Sequence, residues 1–151
     1  MSPAMLVTRG MGRTRRGHRS LPHTADVMVE AWGPDLAACC EEAVAGLVET
    51  YTVSRYATVF AEWEQHVTPA PADVMLVEIL DEVVFALDVA EGVPIRAHVQ
   101  ARSDGALEVR LALADPATIQ PAGAVPKAIS RSGLEVSLTA GTVTCRFLVD
   151  V

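Results

Sequence analysis

The segment from Asp73 to Leu87 constrains the fold more than any other part of the chain. Val74, Met75, Leu76, Val77, Ile79, Leu80, Val83, Val84, Phe85, Ala86 and Leu87 cover nearly every direction around a helix, and only Glu78, Asp81 and Glu82 form a polar stripe. A helix that is apolar over most of its circumference is normally covered on more than one side. It is therefore placed in the interior, with Asp73 as its N-cap and the three acids as a solvated stripe.

An interior helix needs layers around it, and the rest of the chain supplies them. Val27 to Trp32 reads as a strand, punctuated by Gly33-Pro34-Asp35. In the next segment Leu36, Cys40, Ala43, Val44, Leu47 and Tyr51 recur at three- and four-residue steps, the period of an amphipathic helix. Residues 58–67 read as a strand closed by Pro69 and Pro71. Ile95, Ala97, Val99 and Ala101 alternate with Arg96, His98, Gln100 and Arg102. Asp104-Gly105 supplies a turn, and Leu107, Val109, Leu111 and Leu113 continue the alternation as a hairpin. A Pro- and Gly-containing loop to about Pro126 leads to strand segments over 128–130, 134–138 and 143–149, the last two joined around Gly141. Strand, helix, strand, helix and then consecutive strands predicts an α+β fold, two helices packed against mixed or antiparallel sheet in one domain.

Charge is unevenly placed. The chain has 12 Lys+Arg and 19 Asp+Glu, yet Arg9, Arg13, Arg15, Arg16 and Arg19 fall among the first twenty residues without an acid between them. No continuous apolar segment follows, so this is read as a disordered basic arm over residues 1–16, ahead of a domain over 17–151, rather than a secretory signal. Leaving out these five arginines, the rest of the chain keeps seven bases against 19 acids, a net of −12. Such a body repels phosphate backbones, which disfavours tight direct binding of nucleic acid. No apolar run is long enough to cross a bilayer. Cys39, Cys40 and Cys145 are odd in number and lack metal-ligand spacing, so they are read as reduced core thiols of a cytoplasmic protein.

The usual catalytic signatures are missing: there is no Gly-rich phosphate loop, no CxxC, no HExxH and no nucleophile elbow. Of the histidines, His18 and His66 fall in expected loops and His98 on the polar face of a strand. His23 stands beside Thr24 and Asp26, an arrangement more often a turn or cap than a site. Asp26 and Asp150, the latter followed by the carboxylate of Val151, remain. If their strands are neighbours, three negative groups converge, and each pair about 4 Å apart repels by about 1 kcal/mol in water and about 4 kcal/mol at an effective dielectric of about 20. A cation removes that penalty, and all-oxygen donors select hard ions: Ca²⁺, or alternatively Mg²⁺ or Mn²⁺. Spacing alone does not bring the two ends together. Lys127 is the only lysine in the chain, and composition alone reads it as a solvent-facing strand residue.

Four short motifs occur in an order that resembles the archease family. His23-Thr24-Ala25-Asp26 before a strand is similar to the family's opening HTAD, and Leu76 to Val84 to its central helix, commonly LLxxWLNELL. Pro126-Lys127-Ala128-Ile129-Ser130 is similar to its VKAVT strand, and Phe147-Leu148-Val149-Asp150-Val151 to its closing xxxDV. The resemblance runs over about residues 17–151. It implies a non-enzymatic cofactor protein of the GTP-dependent RNA ligase of tRNA splicing and RNA repair, one that promotes guanylylation and multiple turnover and meets RNA only through the ligase. It further implies a metal site at Asp26, Asp150 and Val151, and partner-contact roles for Lys127 and His23. The chain departs from the family where Arg131-Ser132 replaces Tyr-His, Ile79 replaces Trp and Asp81 replaces Asn. The competing readings are a general chaperone-like interaction module and a small metal-assisted hydrolase, the latter with no general base beyond His23.

Overall fold

The computed structural model describes residues 15–23 and 26–151. Along the chain it forms β1 (Gly17–His23), β2 (Asp26–Gly33), α1 (Leu36–Glu49), β3 (Thr52–Val53), β4 (Val59–Val67), α2 (Ala72–Val89), β5 (Val93–Ala101), β6 (Leu107–Ala114), β7 (Gln120–Pro121), β8 (Ala128–Thr139) and β9 (Thr142–Asp150). One sheet has the order β1-β2-β9-β8 and a second β4-β6-β5, with β3 and β7 as a short separate ladder. Every strand pair is antiparallel.

The helices lie between the two sheets. α1 packs on β1, β2 and β9 of the first sheet and on β5 of the second, while α2 packs on β8 of the first and on β4 and β5 of the second. Met75, Leu76, Ile79, Leu80, Val83 and Ala86 of α2 are buried, as its composition requires. Coverage is incomplete, however. Val74, Phe85 and Val89 remain exposed, although Trp63 of β4 stands edge-on to Phe85. On α1, Gly46 makes the close approach to β2, because a Cβ there would stand 2.6 Å from Val29 Cγ1.

Several local expectations need correction. α2 begins after Pro71, which has no side-chain cap, and Asp73 sits inside the first turn with its carboxylate accepting from Val74 N–H. α1, by contrast, starts on a side-chain cap, since Asp35 accepts from the Ala38 N–H at 2.8 Å. The two segments read as separate strands over 128–130 and 134–138 are one strand, β8, interrupted by a bulge between Ser130 (opposite Leu148) and Glu135 (opposite Arg146). Gly133, at φ +78°, carries the chain through that bulge at no steric cost. His18 and His66 lie in strands β1 and β4 rather than in loops. The arm expected over residues 1–16 lies outside the described residues up to residue 14. Of the remaining two, Arg16 pairs with Glu41 at 2.9 Å and with Glu42. The three cysteines are buried and unpaired in disulfides, and burial pushes the Cys40 thiol well above its ordinary range.

His18 fastens the edge strand β1 to α1. Its Nδ1 is 2.8 Å from Glu42 Oε1 and its Nε2 2.7 Å from Glu49 Oε2. Carboxylates at both ring nitrogens favour a proton on each. Burial opposes the charge, but Glu49 and Glu42 outweigh it, and the His18 pKa is raised above 6.5. A raised folded-state pKa means that the contact stabilises the fold fully below the unfolded value and ceases to do so as pH rises through the folded one. The stability difference between wild type and His18→Gln is therefore expected to be largest near pH 6 and to shrink towards about pH 9. Urea denaturation across that range checks it, and a difference that grows with pH would contradict the assignment.

Candidate functional site

β2 and β9 pair with Val27 opposite Val149, Val29 opposite Phe147 and Ala31 opposite Cys145. All six of these side chains pack in the core, so the alternate residues of both strands face the other way. Continuing the ladder by one residue sets Asp26, the first residue of β2, across from Asp150, the last of β9. Residues directly opposed in an antiparallel pair share a face, so both carboxylates leave the same side of the sheet at one end of one ladder. Both residues are half-buried.

β8 completes this corner. Ala128 pairs with Asp150, and the Lys127 N–H donates to the Asp150 carbonyl at 2.8 Å. Lys127 itself is exposed and makes no ion pair among the described residues. Val151 packs partly against the core, which tethers the backbone just beyond Asp150. His23 pairs with Asp26 at the end of β1, while its side chain and residues Thr24 and Ala25 lie outside the described residues. Asp26, Asp150, Val151 and the Lys127 backbone thus come together at one corner, along with the backbone of His23.

As a cation site the corner fits in donor type and is incomplete in number. The two side-chain carboxylates are hard oxygen donors, suited to Ca²⁺, Mg²⁺ or Mn²⁺. Among the described residues no three His, Cys, Asp or Glu side chains are grouped to hold an ion. Ca²⁺ takes about six to eight oxygens, so water or a partner's oxygens would have to complete its shell.

The acids of α2 are not the plain solvated stripe expected of them. Glu78 is exposed, but Glu82 accepts from Trp63 Nε1 at 2.7 Å, and Asp81 pairs with Arg131 at 2.8 Å. Arg131 projects from the β8 bulge and also donates to the Ile129 carbonyl at 3.0 Å. Two departures from the archease pattern, Asp81 and Arg131, therefore meet each other and close the gap between α2 and the bulge. Opposite charge at two positions that depart from one pattern is the signal that could have paired them. Farther along the carboxylate-bearing face lies a small cleft of about 190 Å³ lined by Glu30, Glu135, Ser137, Thr144 and Arg146. Its charges are largely engaged with each other and with a neighbour: Glu30 pairs with Arg19 at 2.6 Å and with Arg146 at 3.5 Å.

Helices held between two antiparallel sheets, with strands from the two halves of the chain meeting at a pair of aspartates, define a compact α+β class of protein. Known proteins share this architecture. The solution structure of protein 1598 of Methanobacterium thermoautotrophicum superposes with a TM-score of 0.73 at 20% identity, covering 89% of this chain and 99% of that one. The crystal structure of an archease from Thermotoga maritima, described as a possible chaperone, gives a TM-score of 0.64 at 17% identity over 88% of this chain and 96% of its own. By sequence, the probable archease proteins of two strains of Mycobacterium tuberculosis are 35% identical over 148 residues, 98% of this chain and 82% of theirs. The model of the archease protein family (MTH1598/TM1083) matches residues 18–151. The chain belongs to the archease family.

Proposed function

We propose that this archease is a non-enzymatic activator that holds a divalent cation at Asp26, Asp150 and the Val151 carboxylate and promotes guanylylation and multiple turnover of a GTP-dependent RNA ligase in tRNA splicing or RNA repair. The observation that supports the reading is the β2–β9 register, which sets Asp26 across from Asp150 on one face. A bound cation would neutralise the carboxylates and leave coordination positions for oxygens of a partner. Around it the chain's own residues act by placement. The Lys127 N–H fixes the Asp150 backbone, and the Lys127 ammonium stands exposed beside the same corner, able to meet a carboxylate or phosphate as a point charge. The acidic body points to contact with RNA through the ligase rather than directly.

The test is a guanylylation assay on a purified ligase with GTP and divalent ion, with and without this protein. Lys127→Ala is expected to lower the stimulation by about tenfold to a hundredfold, the worth of one charged hydrogen bond, without changing the melting temperature. Lys127→Arg is expected to restore it only in part, because a planar fork replaces a compact ammonium. Unchanged stimulation by Lys127→Ala would remove that residue from the contact. The description of the Thermotoga maritima archease as a possible chaperone favours a second reading, a general interaction module. Suppression of aggregation of unrelated clients that persists without Asp26 would support that reading instead.

A further inference from the structure

α2 and β4 run antiparallel across a groove. Gln65 Nε2 donates to the Glu78 carbonyl at 3.1 Å, Trp63 Nε1 bonds Glu82, and the Trp63 ring stands edge-on to Phe85 with centroids 6.1 Å apart. Towards the C-terminal end of α2, Phe60 lies over Gly92, where an added Cβ would meet its ring at 2.8 Å. Phe60, Phe85 and Val89 are nevertheless 55%, 53% and 50% exposed. Phe85 and Val89, half in water about one turn apart beside the partly buried Trp63, with Phe60 half in water where α2 gives way to β5, form a concentrated apolar surface, unlike the single exposed residues of an ordinary exterior.

The rim of this groove has one sign. Glu78, Asp88 and Glu91 are exposed on and just beyond α2, whereas Glu62 and Glu64 alternate with Trp63 and Gln65 and so leave the opposite face of β4. None of the three acids of α2 and its end has an ion pair among the described residues. β4 is also the outermost strand of its sheet, so nothing in that sheet flanks the groove on its far side. A second copy of this chain would bring the same acids and be repelled, as would an anionic lipid surface. The complementary occupant is apolar and cationic.

We infer that the groove between β4 and the C-terminal half of α2 docks a segment of a partner protein that carries Lys or Arg beside aromatic or aliphatic anchors. The inference rests on the reading that this archease works by contact with another protein, and it needs neither the cation nor the identity of the ligase. The anchors pack against the exposed faces of Phe60, Phe85 and Val89, and the bases meet Asp88 and Glu91. Such a surface is separate in chemistry from the aspartate corner, so one partner can be gripped at the groove while its reactive part is served elsewhere.

The experiment is fluorescence anisotropy of the full chain with a labelled synthetic amphipathic peptide of Leu, Trp and Lys, beside the same peptide with Glu in place of Lys. The Lys peptide is expected to bind and the Glu peptide not. The pair Phe60→Ser and Phe85→Ser is expected to weaken binding by at least about tenfold, as loss of anchor residues does. Asp88→Lys with Glu91→Lys, which disturbs no packing, is expected to weaken it similarly and to flatten its dependence on salt. Equal binding by all variants, or equal binding of the Glu peptide, would overturn the inference. So would displacement by a peptide of residues 1–16 coupled with tighter binding once residues 1–14 are removed, since the chain's own arm would then be the occupant. Peptide binding that behaves as expected while ligase stimulation is absent would sink the ligase reading alone. Intact stimulation by a chain whose groove shows no selectivity would sink this inference alone.

Discussion

Asp26→Ala or Asp150→Ala is expected to abolish stimulation of ligase turnover and the rise in melting temperature on adding Ca²⁺, while leaving the cation-free protein as stable as wild type or slightly more so. The sign follows from charge. With no cation, two opposed carboxylates on one face repel each other, by about 1 to 4 kcal/mol at about 4 Å depending on how much water screens them, and removing one relieves that repulsion. With cation at about a hundred times its dissociation constant, wild type gains about 2.7 kcal/mol that the variants cannot. Thermal scans in chelator and in Ca²⁺, Mg²⁺ or Mn²⁺ therefore separate a metal role from a structural one. Stimulation that survives both substitutions would take the cation out of the mechanism, and a large loss of stability in chelator would show that the aspartates serve the fold instead.

Phe147→Ala is expected to have the largest effect on stability, about 3–5 kcal/mol, because a large core side chain is removed and the cavity cannot fully collapse. Phe147 is fully buried and lies opposite Val29 in the β2–β9 ladder, three residues before Asp150. Domains are stable by about 5–15 kcal/mol, so the variant should fold at low temperature yet unfold well below wild type in urea. It also tests the corner from behind. If β9 holds Asp150 in place, cation affinity should fall along with stability, although neither carboxylate has been touched. A midpoint in urea that moves by less than about 1 kcal/mol equivalent would show that the core is not closed around β9.

What could be read from the sequence divides by range. α1 and α2 were legible because Leu36, Cys40, Ala43 and Leu47, and the nearly continuous apolar run after Asp73, declare their period within a dozen residues. The β5–β6 hairpin was legible because Asp104-Gly105 specifies its turn, with Gly105 at φ +95°. β1 was not, since Gly17-His18-Arg19-Ser20-Leu21-Pro22 has no apolar alternation. Its stability comes from pairing with β2 and from the carboxylates of α1. β8 reads as two strands because a glycine within a strand looks like an ending until its partner strand is known. At the corner, short motifs single out Asp26, Asp150 and Lys127, but their meeting depends on a pairing no local pattern encodes. The links from Asp81 to Arg131 and from Glu82 to Trp63 were hidden for the same reason, as both partners lie far off in the chain.

The place of β9 between β2 and β8 has a consequence for biosynthesis. As the ribosome extends the chain, β2 emerges early but has β1 alone to pair with until Val149 follows, and a two-stranded hairpin is marginal by itself. The β4–β6–β5 sheet can close sooner, from neighbouring segments, whereas the long-range β2–β9 pairing slows folding. The aspartate corner would then be the last part of the molecule to be assembled, and a truncated nascent chain would carry Asp26 with nothing opposite it.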